Sequence, residues 1–444
     1  MIALLWLALS IVVIVALILW VKLHPAVSLV IGTLLLGALL GMPLLDIATT
    51  TTQGFGSLMT SLGLSVGFGI ILGQLLSDSG GAKVIARTLV GLTSDRFAMY
   101  GLAFAAFVLA IPVFFDVTFV ILVPLAIAIA REARKPLPLA IGSVAMGAGA
   151  AHTLVPPTPN PLAAGDIMGF SVGYMVGVGG IIGLIAVIGG VTVYSMIIDK
   201  VWKPEHDVAE EPSLRAVPGE DKEPGFWLSL LPILTPLILI LIGTVWGAVT
   251  DAEMPVLLHF ASDKTVALLI GTLVAYLVAS RNLSRSEMEE SANNAIQSAG
   301  IVLLITGAGG SFGAVIKAGG VSDLIAEAVA GLGGGHLVGL LACYFVGMSF
   351  RVAVGSGTVA SITTMTIFAS LAPTIGIHPV WVAAACLAGA LSIGHINDSG
   401  FWVTAKIPGF SITGGLKVYT LPQFIASVFT IILVILGSYI VPIS

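Results

Sequence analysis

A single carboxylate, Asp116, stands in the apolar run "IPVFFDVTFV", with no other charge between Arg96 and Arg131. An apolar setting favours the neutral form of a carboxyl group, which suits a group that binds and later releases a proton. The bland alternative is a hairpin tip that reaches water or headgroups. Arg351 lies in "FRVAVGSGTVAS", with the hydroxyls of Ser356 and Thr358 on nearly bare backbone just beyond it. Its planar fork suits a carboxylate gripped through two hydrogen bonds, or else it serves as a membrane-surface anchor. The Ser356–Thr358 stretch has its own structural reading, small-residue helix packing. Two polar clusters complete the set. "AHTLVPPTPNP" (151–161) carries His152, Thr153, Thr158 and Asn160, and "GHINDSGFWVT" (394–404) carries His395, Asn397, Asp398 and Ser399. Their hydroxyls and amides suit a polyhydroxylated ligand, and their imidazoles can titrate, bond substrate or cap backbone. Asp398 is a candidate for cation or proton binding, and helix capping competes with both.

These groups sit in a chain that must be a membrane protein. Of its 444 residues, 57% are hydrophobic and 9% charged, against roughly 25% charged in soluble domains. Runs such as 2–21, 26–45, 226–249 and 421–442 have the length, about 20 residues, that crosses a bilayer. Ionisable groups within such runs are costly, which makes each a functional candidate. The count is about 14 apolar segments, all helical. The pairs 98–115 with 117–130 and 336–350 with 352–371 are either crossings or re-entrant hairpins. The first run is too long for a signal peptide and reads as a retained helix. Lys22, the basic groups at 83–96, 131–135 and 199–223, Arg281 with Arg285, and Lys406 with Lys417 fall on one side under alternate crossing. Basic loops face the cytoplasm, so both termini are expected outside.

Other chemistries find no support. No GxxxxGK[ST] or HExxH motif is present, no basic patch suggests nucleic acid, and Cys343 and Cys386 lack metal-ligand spacing. No cofactor or metal is expected, and neither is an enzyme. The loop 199–225, charged and Pro-rich, has the composition of a solvated cytoplasmic linker. It separates an N-terminal unit, 1–198, from a C-terminal unit, 226–444.

The two units resemble each other. "SGGAKVIARTLVGL" (79–92) aligns without gaps on "GGVSDLIAEAVAGL" (319–332), with Lys83 and Arg87 facing Asp323 and Glu327. The reversal of sign is what two copies inserted upside down require. The two polar clusters also correspond, so that His152 answers His395. Pro156, Pro157, Pro159 and Pro161 in one, and Ser399-Gly400 with Pro408-Gly409 in the other, break the helices they interrupt. Inverted repeats with helices broken near the bilayer midplane are the architecture of secondary transporters. Broken helices aim free N–H groups at an anion.

The motifs resemble those of the gluconate permeases and their relatives within the larger ion-transporter group. "GHINDSGFW" is similar to that family's His-x-Asn-Asp-Ser-Gly-Phe-Trp signature, and "HTLVPP" to its His-Thr-x-x-Pro-Pro element. "RVAVGSGTVA" and "PVFFDVTFVILVPL" resemble two further elements, so the likeness runs from about residue 50 to 420. Thr158 and Asn160 depart from the family's His and Gly, and Asp116 stands where Glu is frequent. The resemblance implies a proton-coupled symporter bringing gluconate or another small hydroxy-carboxylate across a bacterial inner membrane. It implies a homodimer, with a small organic acid and the bilayer as partners. Relatives that carry D-serine or other small polar carboxylates define one alternative. A passive organic-anion channel is another, and sodium is the rival coupling ion.

Overall fold

The computed structural model describes residues 2–209, 223–249, 253–321, 324, 335–396 and 398–441. Within them the chain is helical, and a lone bridge between Val208 and Phe410 is the one β-type pairing among the described residues. Among the described residues, seven helices are long and apolar enough to cross a membrane, or eight if a pair bent by 75° counts as one span. The remaining apolar segments form shorter helices, such as Pro25–Leu39, Ala98–Leu109 and Pro379–Leu391.

The N-terminal part begins with α1 (Ile2–Leu19), α2 (Pro25–Leu39) and α3 (Leu44–Asp78). The apolar run 26–45, expected as one span, is therefore a helix, a turn and the start of another helix. Gly41 adopts φ +77° there, a conformation glycine takes at no steric cost, and Pro43 precedes α3. Next come α4 (Gly81–Gly91), α5 (Ala98–Leu109) and α6 (Phe115–Glu132). Then follow α7 (Leu137–Leu154), α8 (Pro159–Met168) and α9 (Val172–Val201), the last with a π-helical turn at Met175–Gly179.

The C-terminal part has α10 (Phe226–Val249), the bent pair α11 (Val256–Ser262) and α12 (Lys264–Ala279), and α13 (Arg285–Ala318). A capping box starts α13, with Ser284 and Glu287 each bonding the other's backbone N–H. After it come α14 (Gly335–Val354), α15 (Gly357–Ile367), α16 (Leu371–Ile375), α17 (Pro379–Leu391) and α18 (Ser399–Lys406). The last helix, α19 (Ile412–Ile440), contains a second π-helical turn at Leu416–Thr420.

Two packing centres organise these helices. The long α3 and α13 cross where glycine meets glycine: a Cβ on Gly54 would lie 2.6 Å from the Gly310 carbonyl oxygen. Small residues at such crossings let backbones approach, and Ser311 Oγ donates to Thr51 O at 2.7 Å beside them. The other centre is α7 with α17. Every residue from Pro138 to Leu154 except His152 is buried, as is every residue from Val380 to Leu391. Helices apolar all round belong in the interior. Both end in breaks, and the breaks face the same cavity.

Candidate functional site

The cavity has a volume of about 390 Å³. Four helices begin at its wall: α6 with Phe115 and Asp116, α8 with Asn160, α15 with Gly357 and Thr358, and α18 with Ser399 and Gly400. Helix N-termini carry partial positive charge and unsatisfied N–H groups, so their convergence makes a seat for an anion. The α8 end contributes fewer N–H groups, because Pro159 and Pro161 have none.

One side of the cavity is a charged knot. Arg351, 7% exposed, forms an ion pair with Asp398, also 7% exposed, through Nη2 and Oδ2. Tyr419 closes the triangle: Arg351 Nη2 donates to its hydroxyl at 2.9 Å, and that hydroxyl donates to Asp398 Oδ2 at 2.5 Å. Asp398 Oδ1 accepts from Gly400 N at 3.0 Å and so caps α18, while Arg351 Nη1 donates to Gly355 O at 3.2 Å. Arg351 Nε has no partner among the described residues. Local backbone makes the knot possible. A Cβ on Gly394 would lie 2.6 Å from Asp398 Oδ2, and the π-helical turn in α19 carries Tyr419. Thr420 Oγ1 donates to Gly394 O at 2.5 Å and ties the unwound stretch to that turn.

Uncharged polar groups line the cavity as well. His152 and Thr153 lie at the end of α7 and Asn160 in the first turn of α8, with the chain unwound across 155–158. Gln423 reaches in from α19 and donates to Ala145 O at 2.8 Å. His152 Nδ1, Asn160 Oδ1 and Gln423 Oε1 are buried without a partner among the described residues. The rings of Phe114 and His152 lie 5.6 Å apart, and those of Phe115 and Tyr419 likewise. Asp116 lines the cavity and makes neither an ion pair nor a hydrogen bond among the described residues.

Comparison with known proteins fits this arrangement. A family profile described as GntP family permease matches residues 2–440. The chain belongs to the GntP permease family. A gluconate permease from Pseudomonas aeruginosa is 30% identical, over 94% of this chain and 93% of that protein. An inner membrane permease, YgbN, from Escherichia coli is 31% identical over 90% of each. Among solved structures, the YdaH transporter of Alcanivorax borkumensis matches with a TM-score of 0.67 and 18% identity, over 95% of this chain and 99% of that one. At that identity the likeness concerns the fold. This GntP-family protein is thus a multi-pass membrane transporter and not an enzyme.

Of the residues singled out from the permease's sequence, the cavity gathers Asp116, His152, Thr153, Asn160, Arg351, Ser356, Thr358, Asp398 and Ser399. Two are elsewhere. Thr158 is buried, does not line the cavity and donates to Val155 O at 2.8 Å across the α7–α8 break. His395 is partly buried and does not line the cavity; its carbonyl accepts from Asp398 N at 2.8 Å. The expected correspondence of the two histidines therefore does not extend to position at the site. Asn397 lies outside the described residues, as does most of the segment 322–332 used in the repeat alignment. The alternative of Arg351 as a surface anchor is corrected by its burial and pairing. Asp398 is a helix cap and a counter-ion together. Tyr419 and Gln423 went unnoticed. An amide in the apolar run "LPQFIASVF" was a signal for Gln423, whereas nothing local marks Tyr419.

Proposed function

We propose that this permease is a secondary active transporter that takes up gluconate or a related small hydroxy-carboxylate with a proton across a bacterial inner membrane. The substrate class comes from relatives named gluconate permeases. One observation carries the mechanism: four helix N-termini and Arg351 surround a cavity that also holds Asp116, a carboxylate without a counter-cation among the described residues. The anion binds where positive potential converges, and the proton rides on Asp116. A paired carboxylate such as Asp398 is poorly suited to that task, because protonation would leave Arg351 buried and unpaired.

We also read the molecule as two repeats of opposite orientation, 1–198 and 226–444, joined by a cytoplasmic linker. Landmarks at a nearly constant offset support the repeat. The starts of α7 and α17 are 242 residues apart (137 and 379), those of α8 and α18 are 240 apart (159 and 399), and the two π-helical turns are 241 apart (175 and 416). Gly80 and Gly320, like Gly169 and Gly409, have positive φ at an offset of 240. An odd number of crossings per repeat inverts the second copy, and alternating access then needs only two broken helices moving about a shared site.

The deciding experiment uses purified protein in proteoliposomes. An imposed inward proton gradient should drive accumulation of labelled gluconate above its outside concentration, and a proton ionophore should abolish it. Equilibration without accumulation would identify a passive pathway, and dependence on a sodium gradient would replace the proton.

A further inference from the structure

We infer that Gln423 sets specificity: its amide oxygen accepts a hydrogen bond from a hydroxyl of the bound acid, so the site distinguishes hydroxylated carboxylates from plain ones. This rests on the hydroxy-carboxylate reading above and assigns part of that recognition to a residue.

Gln423 is 2% exposed and stands on the cavity wall just after Pro422 in α19. Its orientation is fixed by chemistry. Ala145 O can only accept, so the side-chain atom 2.8 Å from it must be the nitrogen, and the oxygen is turned away. That oxygen finds no donor among the described residues. The backbone opposite is bare to admit the amide: a side chain at Gly149, one turn along α7 from Ala145, would collide with both terminal atoms of Gln423. A buried acceptor lacking a donor is costly, and a ligand in the cavity can supply one. Asn160 Oδ1 is in the same position.

Two amide oxygens can only accept, and a carboxylate brings no proton to either. A ligand that satisfies them must carry O–H or N–H donors besides its acid group. Charge recognition belongs to the same cavity, at Arg351 and the N-termini of α15 and α18. The ligand class is therefore a carboxylate at one end with hydroxyls along its body.

The test compares two six-carbon acids, D-gluconate and hexanoate, by calorimetry on the full chain in detergent. Wild type should prefer gluconate. Gln423→Met keeps the bulk and removes the polar atoms, so its gluconate affinity should fall about tenfold, equivalent to 1.4 kcal/mol. Its hexanoate affinity should stay, so the preference narrows by the same factor. Gly149→Ala crowds the amide from outside and should narrow it too, which gives a second reading if the first variant folds poorly. A preference unchanged in both variants overturns the assignment, and equal loss for both acids reduces Gln423 to a staple between α7 and α19. Wild type that does not prefer gluconate overturns the hydroxy-carboxylate reading itself.

Discussion

Two carboxylates share the cavity wall, and their surroundings differ in almost every respect. Asp398 pairs with Arg351, accepts from Tyr419 and caps α18 through Gly400 N. Asp116 begins a helix and has no such partner among the described residues. A group held by three contacts holds others in place. A group held by none can change its protonation without disturbing its neighbours. On the proposed function, one cavity would thus separate the architecture of anion binding from the machinery of coupling.

The largest expected effect breaks the paired side. Asp398→Ala strands a buried guanidinium, a loss on the order of 3–5 kcal/mol, and should lower the thermal midpoint of the detergent-solubilised protein sharply or prevent folding. Replacing both partners, Arg351→Met with Asp398→Leu, should recover much of that stability while leaving no transport. Asp116→Asn has no partner to lose, so its midpoint should stay near wild type. A similar fall in both single variants would erase the distinction between the two carboxylates.

The next effect concerns transport. Asp116→Asn imitates the protonated group permanently, so the variant should exchange substrate in counterflow yet fail to accumulate it under a pH gradient. Accumulation at the wild-type level would move the proton to another group, with His152 next in line. A smaller effect is expected at Arg351. Arg351→Lys keeps the charge beside Asp398 but gives up the planar fork that also reaches Tyr419 and Gly355, so substrate affinity should drop about tenfold by calorimetry. Unchanged affinity would show that helix N-termini alone hold the anion.

The same contrast marks what could be read from the residues in order. Composition and run length were enough for a helical membrane protein. The prolines at 156–161 and the pairs Ser399-Gly400 and Pro408-Gly409 located the breaks to within a few residues, because backbone rules act over that range. The count of segments was less secure, since hydropathy does not register a turn such as 40–43 inside an apolar run. Pairing was beyond reach. Arg351 meets Asp398 across 47 residues, and Gln423 meets Ala145 across 278. Nothing in "KVYTLPQ" says which helix lies opposite. His395 illustrates the converse, since a matching position in a repeated motif did not bring it to the cavity.

The smallest expected effect lies outside the cavity, where the start of the linker grips the element that carries Tyr419. Lys417 Nζ donates to Asp207 at 2.6 and 2.9 Å and to Val201 O at 2.8 Å. His206 O accepts from Ser411 and Thr413, and Ala209 N donates to Gly409 O. Lys417 stands two residues before Tyr419, so this clamp fixes the π-helical turn that completes the charged knot. Burial alone would raise the Asp207 carboxyl. The Lys417 ammonium, the Lys203 amide and the Thr413 hydroxyl outweigh that and hold it below its ordinary 3.8. A carboxyl depressed on folding contributes stability above its unfolded value and loses it as pH falls through the folded one. Asp207→Asn should therefore lower the thermal midpoint by a modest and constant amount across neutral pH. The gap from wild type should close only below pH 3.8, as the native carboxylate is itself protonated. Midpoints measured for both proteins along a pH series give the answer. A gap that closes near neutral pH would mean that the Asp207 carboxylate does not set the strength of the clamp.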